Sequence, residues 1–224
     1  METVQHDRVP PVLDPTPRWK TAVPYTVLKS SHIRLLQIEQ WSVETGDQVE
    51  CTLSVHDLST APSFSALSYT WGLPHRDIHK LRKTLSNAKR QIKCNGFEGQ
   101  VGENLYDFLV HCAQDLCWDP QGYLWIDALC IDQGNIQERS EQVKLMSRVY
   151  QTAMKIIVWL GPEDDSTEPA MYLIKRVVEL DESERLQLNS NDVSKDHSNP
   201  LLNSGRWQAL AQFFQREWFN RAWM

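Results

Sequence analysis

Three short apolar runs decide what this chain can become. They are Phe64-Ser65-Ala66-Leu67-Ser68-Tyr69-Thr70-Trp71, Leu124-Trp125-Ile126-Asp127-Ala128-Leu129-Cys130-Ile131 and Lys155-Ile156-Ile157-Val158-Trp159-Leu160. Each is too short for an amphipathic helix, and each stops at a breaker: Gly72 and Pro74, Asp132-Gln133-Gly134, and Gly161-Pro162. Apolar runs of this length, without alternation, suit strands covered on both faces, as in a parallel sheet. The second run is the best candidate for a central strand, and the third is expected to be buried as well. Between the runs the period changes. Leu105, Phe108, Leu109, Cys112 and Leu116 recur at three- and four-residue steps, predicting a helix from Glu103 to Leu116. Asn135 followed by Glu138 has the spacing of a capping box, and Val143, Met146, Val149 and Tyr150 then predict a helix to Thr152. Alternating strands and helices define an α/β domain with a mostly parallel central sheet and flanking helices.

The flanks add detail. Ile33 to Ile38 and Val49 to Val55 read as two strands with Gly46-Asp47 turning between them, an N-terminal antiparallel pair. Residues 75–90 are basic and polar, an exposed insertion, and Gln91 to Cys94 runs as a short strand into the tight-turn pair Asn95-Gly96. Beyond the third run, Pro169 sits where a first helical turn tolerates it, ahead of Met171, Leu173, Ile174, Val177 and Val178. Residues 181–203, rich in Asp, Glu, Ser and Asn, read as a mobile loop. A last helix after Ser204 is expected to bury Trp207, Leu210, Phe213 and Phe214. Residues 1–24 carry Pro10, Pro11, Pro15 and Pro17 and few apolar anchors, so they read as a flexible arm, with one domain spanning 25–224.

Composition narrows the function classes. Lys and Arg total 23 against 29 Asp and Glu, a formal charge of -6, with no basic stripe to track phosphates, so nucleic acid is not expected as a partner. No apolar segment approaches the roughly 20 residues of a membrane span, and the N-terminus has no signal-peptide core, which predicts a cytoplasmic protein that does not bind membranes. The five cysteines, Cys51, Cys94, Cys112, Cys117 and Cys130, are odd in number and unpaired in spacing, which fits reduced thiols and no metal. No Gly-rich phosphate loop and no Gly-x-Ser-x-Gly elbow occurs.

In open α/β sheets ligands bind where loops leave the carboxyl ends of strands. Tyr69, Trp71 and Gly72 follow the first run, Asp127, Asp132 and Gln133 end the second, and Glu138 and Arg139 open the next helix. Together they would line a pocket with an aromatic wall, carboxylates and an Arg, groups that suit a nucleotide. Structural roles compete with this reading. Trp125 and Trp71 could be core residues. Asp127, inside an apolar run, needs hydrogen bonds or an Arg such as Arg139. Glu138 could cap its helix, and Cys130, with no His beside it, reads as a buried thiol rather than a nucleophile.

Ala66-Leu67-Ser68-Tyr69-Thr70-Trp71-Gly72, Leu124 to Gln133, and Glu138-Arg139 with Gln142-Val143, Met146 and Tyr150 resemble signature blocks of the fungal heterokaryon-incompatibility (HET) domain. Ile156 to Gly161 and Trp218-Phe219-Asn220-Arg221-Ala222-Trp223 resemble its fourth and fifth blocks, so the likeness covers residues 64–224 in order. The resemblance implies a fungal protein of non-self recognition and programmed cell death, acting through a protein partner or self-association and needing no cofactor. The family in turn resembles Toll/interleukin-1 receptor (TIR) domains. That implies a flavodoxin-like sheet and, as an alternative function, a glycohydrolase with NAD as substrate, its catalytic residues unassigned here. The family pattern continues past the final tryptophan into a helix with a Gln-Glu pair. The likeness therefore implies a C-terminally truncated chain, inactive as an enzyme.

Overall fold

The computed structural model describes residues 16–20, 25–42, 48–75, 89–114, 122–181 and 204–221. The strands are β1 (Arg18–Trp19), β2 (His32–Ser42), β3 (Gln48–Asp57), β4 (Phe64–Tyr69), β5 (Lys89–Cys94), β6 (Phe97–Gly102), β7 (Tyr123–Trp125) and β8 (Lys155–Trp159). The helices are α1 (Glu103–Gln114), α2 (Asp127–Cys130), α3 (Ile136–Thr152), α4 (Thr167–Glu179) and α5 (Ser204–Phe213), followed by a 3₁₀ turn over Glu217–Asn220.

The three apolar runs are neighbours running the same way. β4 lies between β7, with Phe64 opposite Tyr123 and Ala66 opposite Trp125, and β8, with Ser65 opposite Lys155 and Tyr69 opposite Trp159. Their carboxyl ends therefore share one rim. The sheet as a whole is mixed, not mostly parallel. Its order is β1-β6-β5-β3-β2-β7-β4-β8, and four of its seven pairings are antiparallel. The antiparallel pair β2–β3 is confirmed, but it lies mid-sheet. β2 bonds to β7 through Leu36 and Leu124, and β3 bonds in parallel to β5. The mixed order does not support the expected mostly parallel, flavodoxin-like sheet.

Two strands differ from expectation for identifiable reasons. β7 ends at Trp125, and the rest of its run winds into a single helical turn closed by Cys130 N–H to Ile126 O at 2.7 Å and Ile131 N–H to Asp127 O at 3.2 Å. Residues 128–131 are all buried, and burial on every side erases the period that separates helix from strand. β8 is an edge strand, not a buried one: Ile156 and Val158 are 53% and 43% exposed.

β1 falls inside the expected flexible arm. Trp19 lies on Gly99 of β6, where an added Cβ would sit 2.4 Å from the indole, so only glycine admits that approach. The Asn95-Gly96 turn forms as predicted, with φ of 49° and 81°. Leu105, Phe108, Leu109 and Cys112 of α1 pack on the core formed by Ile33, Leu35, Leu36, Val49, Ile92, Leu124 and Trp125. Cys51, Cys94 and Cys130 are buried free thiols and Cys112 is buried; Leu116, Cys117, most of the basic insertion and the predicted 181–203 loop beyond Asp181 lie outside the described residues.

The later helices carry more exposed apolar surface than expected. Val143 on α3, Met171, Val177 and Val178 on α4, Trp207 on α5 and Phe214 just past it are exposed, while Val149, Leu173 and Phe213 are buried. No helix among the described residues is long and apolar enough to cross a membrane.

Candidate functional site

Asp127 stands at the first position of α2, on the shared rim. Both of its carboxylate oxygens accept from Trp71 Nε1 at 3.0 Å, and Oδ1 also accepts from Ala128 N–H at 2.7 Å. Its backbone carbonyl accepts from Gln133 Nε2 at 2.8 Å. Burial pushes the carboxyl up to about 6, against the downward pull of the Trp71 and Ala128 hydrogen bonds and the Arg221 charge. Arg221 closes the site from the C-terminal turn. Its Nη1 donates to Tyr69 O at 2.6 Å, and Trp218 Nε1 donates to Ser68 Oγ at 3.0 Å. Tyr69 is 3% exposed, and burial followed by the Asp127 charge drives its hydroxyl well above the usual phenol range. The same causes push Tyr150 up to about 12; its hydroxyl donates to Leu67 O at 3.2 Å. An acid that changes charge near neutrality thus sits where β4, α2 and the C-terminal turn meet.

Glu138 belongs to a second, adjoining cluster. Its carboxylate receives Arg34 Nη1 at 2.5 Å and Nη2 at 3.0 Å, and also Asp132 N–H at 2.7 Å. Arg34 is 1% exposed; it donates further to Cys130 O and Thr26 O and stacks on the Tyr25 ring at 4.7 Å. The capping box is half formed. Asn135 caps α3 by accepting from Glu138 N–H, but the Glu138 side chain goes to Arg34 instead of returning to the cap. Asp132 turns its side chain onto Gly134 N–H at 3.0 Å and shapes the loop between the two clusters.

The eight predicted residues therefore divide. Tyr69, Trp71, Asp127 and Gln133 gather at the first cluster, and Asp132 and Glu138 at the second. Gly72 is exposed with nothing within 4 Å of an added Cβ. Arg139 is exposed on the outer side of α3, and Asp127 takes Trp71 as its partner in place of the expected Arg139. Trp125 is fully buried, as its structural reading held. Sequence reasoning missed Arg34, although a charge inside Ile33-Arg34-Leu35-Leu36 is itself a signal, since a buried cation requires a partner. It also missed Arg216, which is 1% exposed and gathers Leu160 O, Pro162 O, Thr167 Oγ1 and Asp164.

On the far side of β4 the rim continues into open space. Trp159 Nε1 donates to Asn104 Oδ1 at 2.9 Å, and Asn104 Nδ2 to Thr70 O at 2.8 Å, which fixes the exits of β8 and β4 to the start of α1. A cleft of about 890 Å³ lies between α1, the end of β8, α4 and Phe213, and none of the eight predicted residues lines it.

Residues 64–224 match the family described as "Heterokaryon incompatibility protein (HET)". The chain is 33% identical over 151 residues to "Heterokaryon incompatibility protein 6, OR allele" of Neurospora crassa, covering 66% of this chain and 21% of that protein. It is 28% identical over 99 residues to "Vegetative incompatibility protein HET-E-1" of Podospora anserina, covering 44% of this chain and 6% of that protein. No solved structure matches. The chain thus spans about a fifth or less of the length of these two relatives. These matches carry the incompatibility kinship alone, and the likeness to TIR domains gains no support from them. With its blocks joined around Asp127 and the family match running from Phe64 to Met224, the chain belongs to the heterokaryon incompatibility (HET) family.

Proposed function

We propose that this chain is the signalling module of a fungal heterokaryon-incompatibility protein, acting in the cytoplasm through a protein partner or self-association to bring about death of the mixed cell. The observation that carries the reading is the meeting of the family blocks at one point. Trp71 from the first block, Asp127 from the second and Arg221 from the last are joined through Asp127 and the end of β4. Blocks so far apart in sequence serve one site, and most of their polar groups are spent on each other, which suits a module that holds a defined shape for a partner. The incompatibility names of both relatives support the same reading.

Inducible expression of the 224-residue chain in a filamentous fungus tests it. Colony viability is expected to fall with the wild-type chain, and to recover with Trp71→Ala at equal protein level. Unchanged viability with the wild-type chain accumulating as folded protein overturns the proposal.

A further inference from the structure

The cleft beside Trp159 lies apart from the Asp127 cluster, and its walls have a consistent chemistry. One stripe of α1, Glu103, Asp107, His111 and Gln114, forms one side, and the loop from Leu160 through Asp164 forms the other. The main space of about 890 Å³ continues into a second of about 390 Å³, the two sharing Asp107, Pro162 and Glu163. Trp159 is fixed by hydrogen bonds to Asn104 and packs edge-on against Phe108 at 5.6 Å and tilted against His111 at 5.4 Å. A fixed indole in an open cleft is the best side-chain platform for a cation.

The charges point the same way. The carboxylates of Glu103, Asp107 and Glu163 line the two spaces, and Arg90 is the cation felt at Asp107. Glu103 is favoured by its place in the first turn of α1, but Asp107 four residues on is a like-charge neighbour on the same face, an arrangement that costs helix stability. Burial and Glu103 together hold the Asp107 carboxyl above its usual range, with Arg90 as a partial offset. Arg90 stacks on Tyr106 at 4.7 Å. The other charged groups around the space are accounted for: Arg216 is paired with Asp164, and His75 lies 3.5 Å from Asp164. Set against Arg90, the carboxylates of Glu103, Asp107 and Glu163 leave the described walls acidic, and Asp107 and Glu163 share the main space with Trp159.

We propose that this cleft is a docking site for an arginine-bearing segment of a partner protein, the guanidinium lying on Trp159 and neutralising Asp107 and Glu163. A polypeptide fits better than a small amine. The main space alone lies at the upper end of the usual small-ligand range, about 300 to 1,000 Å³, a second adjoins it, and it opens beside β8, an edge strand with exposed apolar residues that an extended segment would meet. The chain's charge of -6 would also speed encounter with a basic partner.

The test uses the purified 224-residue chain and the blocked peptide acetyl-Leu-Arg-Leu-amide, with the same peptide carrying citrulline in place of arginine, by titration calorimetry. The arginine peptide is expected to bind about tenfold more tightly than the citrulline peptide, and to weaken as salt rises. Asp107→Asn is expected to weaken it about tenfold, while Glu141→Gln on the outer face of α3 leaves it unchanged. Equal binding of the two peptides, indifference to Asp107→Asn, or binding of spermidine without binding of the peptide overturns the proposal. Should Asp107→Asn fail to fold, Glu163→Gln on the loop carries the same test. The measurement is made in vitro, so its outcome is distinct from that of the viability experiment above.

Discussion

Replacing Glu138 by Gln removes one charge and almost no volume, and the structure gives the expected penalty. The carboxylate is the sole described counter-ion to Arg34, a guanidinium 1% exposed, and it also takes Asp132 N–H. Breaking a buried pair from one side costs roughly 3 to 5 kcal/mol, because the remaining charge stays buried without compensation. In a chain of this length each kcal/mol corresponds to about 2 to 4 °C, so Tm is expected to fall by roughly 6 to 20 °C. Urea unfolding followed by circular dichroism measures the loss directly. The double change Arg34→Met with Glu138→Leu is expected to recover much of it, since an apolar pair of similar volume often equals a buried ion pair. A Glu138→Gln loss below about 1 kcal/mol would show that water screens the pair and that the cluster does not anchor α3 to β2.

Asp127 gives a pH signature: with its folded value raised to about 6 above an unfolded value near 3.8, the unfolded chain loses its proton first as pH rises. Stability should therefore fall between about pH 4 and pH 6, by no more than about 3 kcal/mol from this group, and Asp127→Asn should flatten that slope in urea midpoints taken across the range. Gly161→Ala should cost roughly 2 to 4 kcal/mol, because φ is +99° and the new Cβ would lie 2.4 Å from Pro74 Cβ; Gly72→Ala, with open space around it, should stay within about 0.5 kcal/mol, and equal costs would refute the distinction.

Local chemistry made some of this legible in the sequence and hid the rest. The runs Phe64 to Trp71, Leu124 to Ile131 and Lys155 to Leu160 announced three neighbouring parallel strands, because apolar length and Gly or Pro stops are local signals, but not that the second would turn helical after Trp125. The Asn95-Gly96 turn and the Asn135 cap were legible for the same reason. The insertion of β2 and β3 into the middle of the sheet was not, since strand order depends on which edges meet in three dimensions. Leu36 carries no mark of Leu124. The rim rule placed Trp71, Asp127 and Gln133 together, and they are in contact, whereas Arg139 was matched to Asp127 by proximity in sequence and is exposed. The buried arginine that pairs with Glu138, Arg34, comes from a strand about a hundred residues earlier. Exposed Val158 and Trp207 show the converse limit: an apolar side chain states a preference for burial, not the presence of a cover.

The placement of β2 has a consequence for synthesis. Its β3 partner follows at once, but its other neighbour, Leu124 of β7, is translated much later. At about 5 to 20 residues per second, a hairpin formed at this stage waits several seconds on the ribosome with the N–H and C=O groups of that edge bonded only to water. Such an open edge is a template for mispairing between nascent chains, so the polysome, before any mature protein exists, is where this fold is most exposed to self-capture.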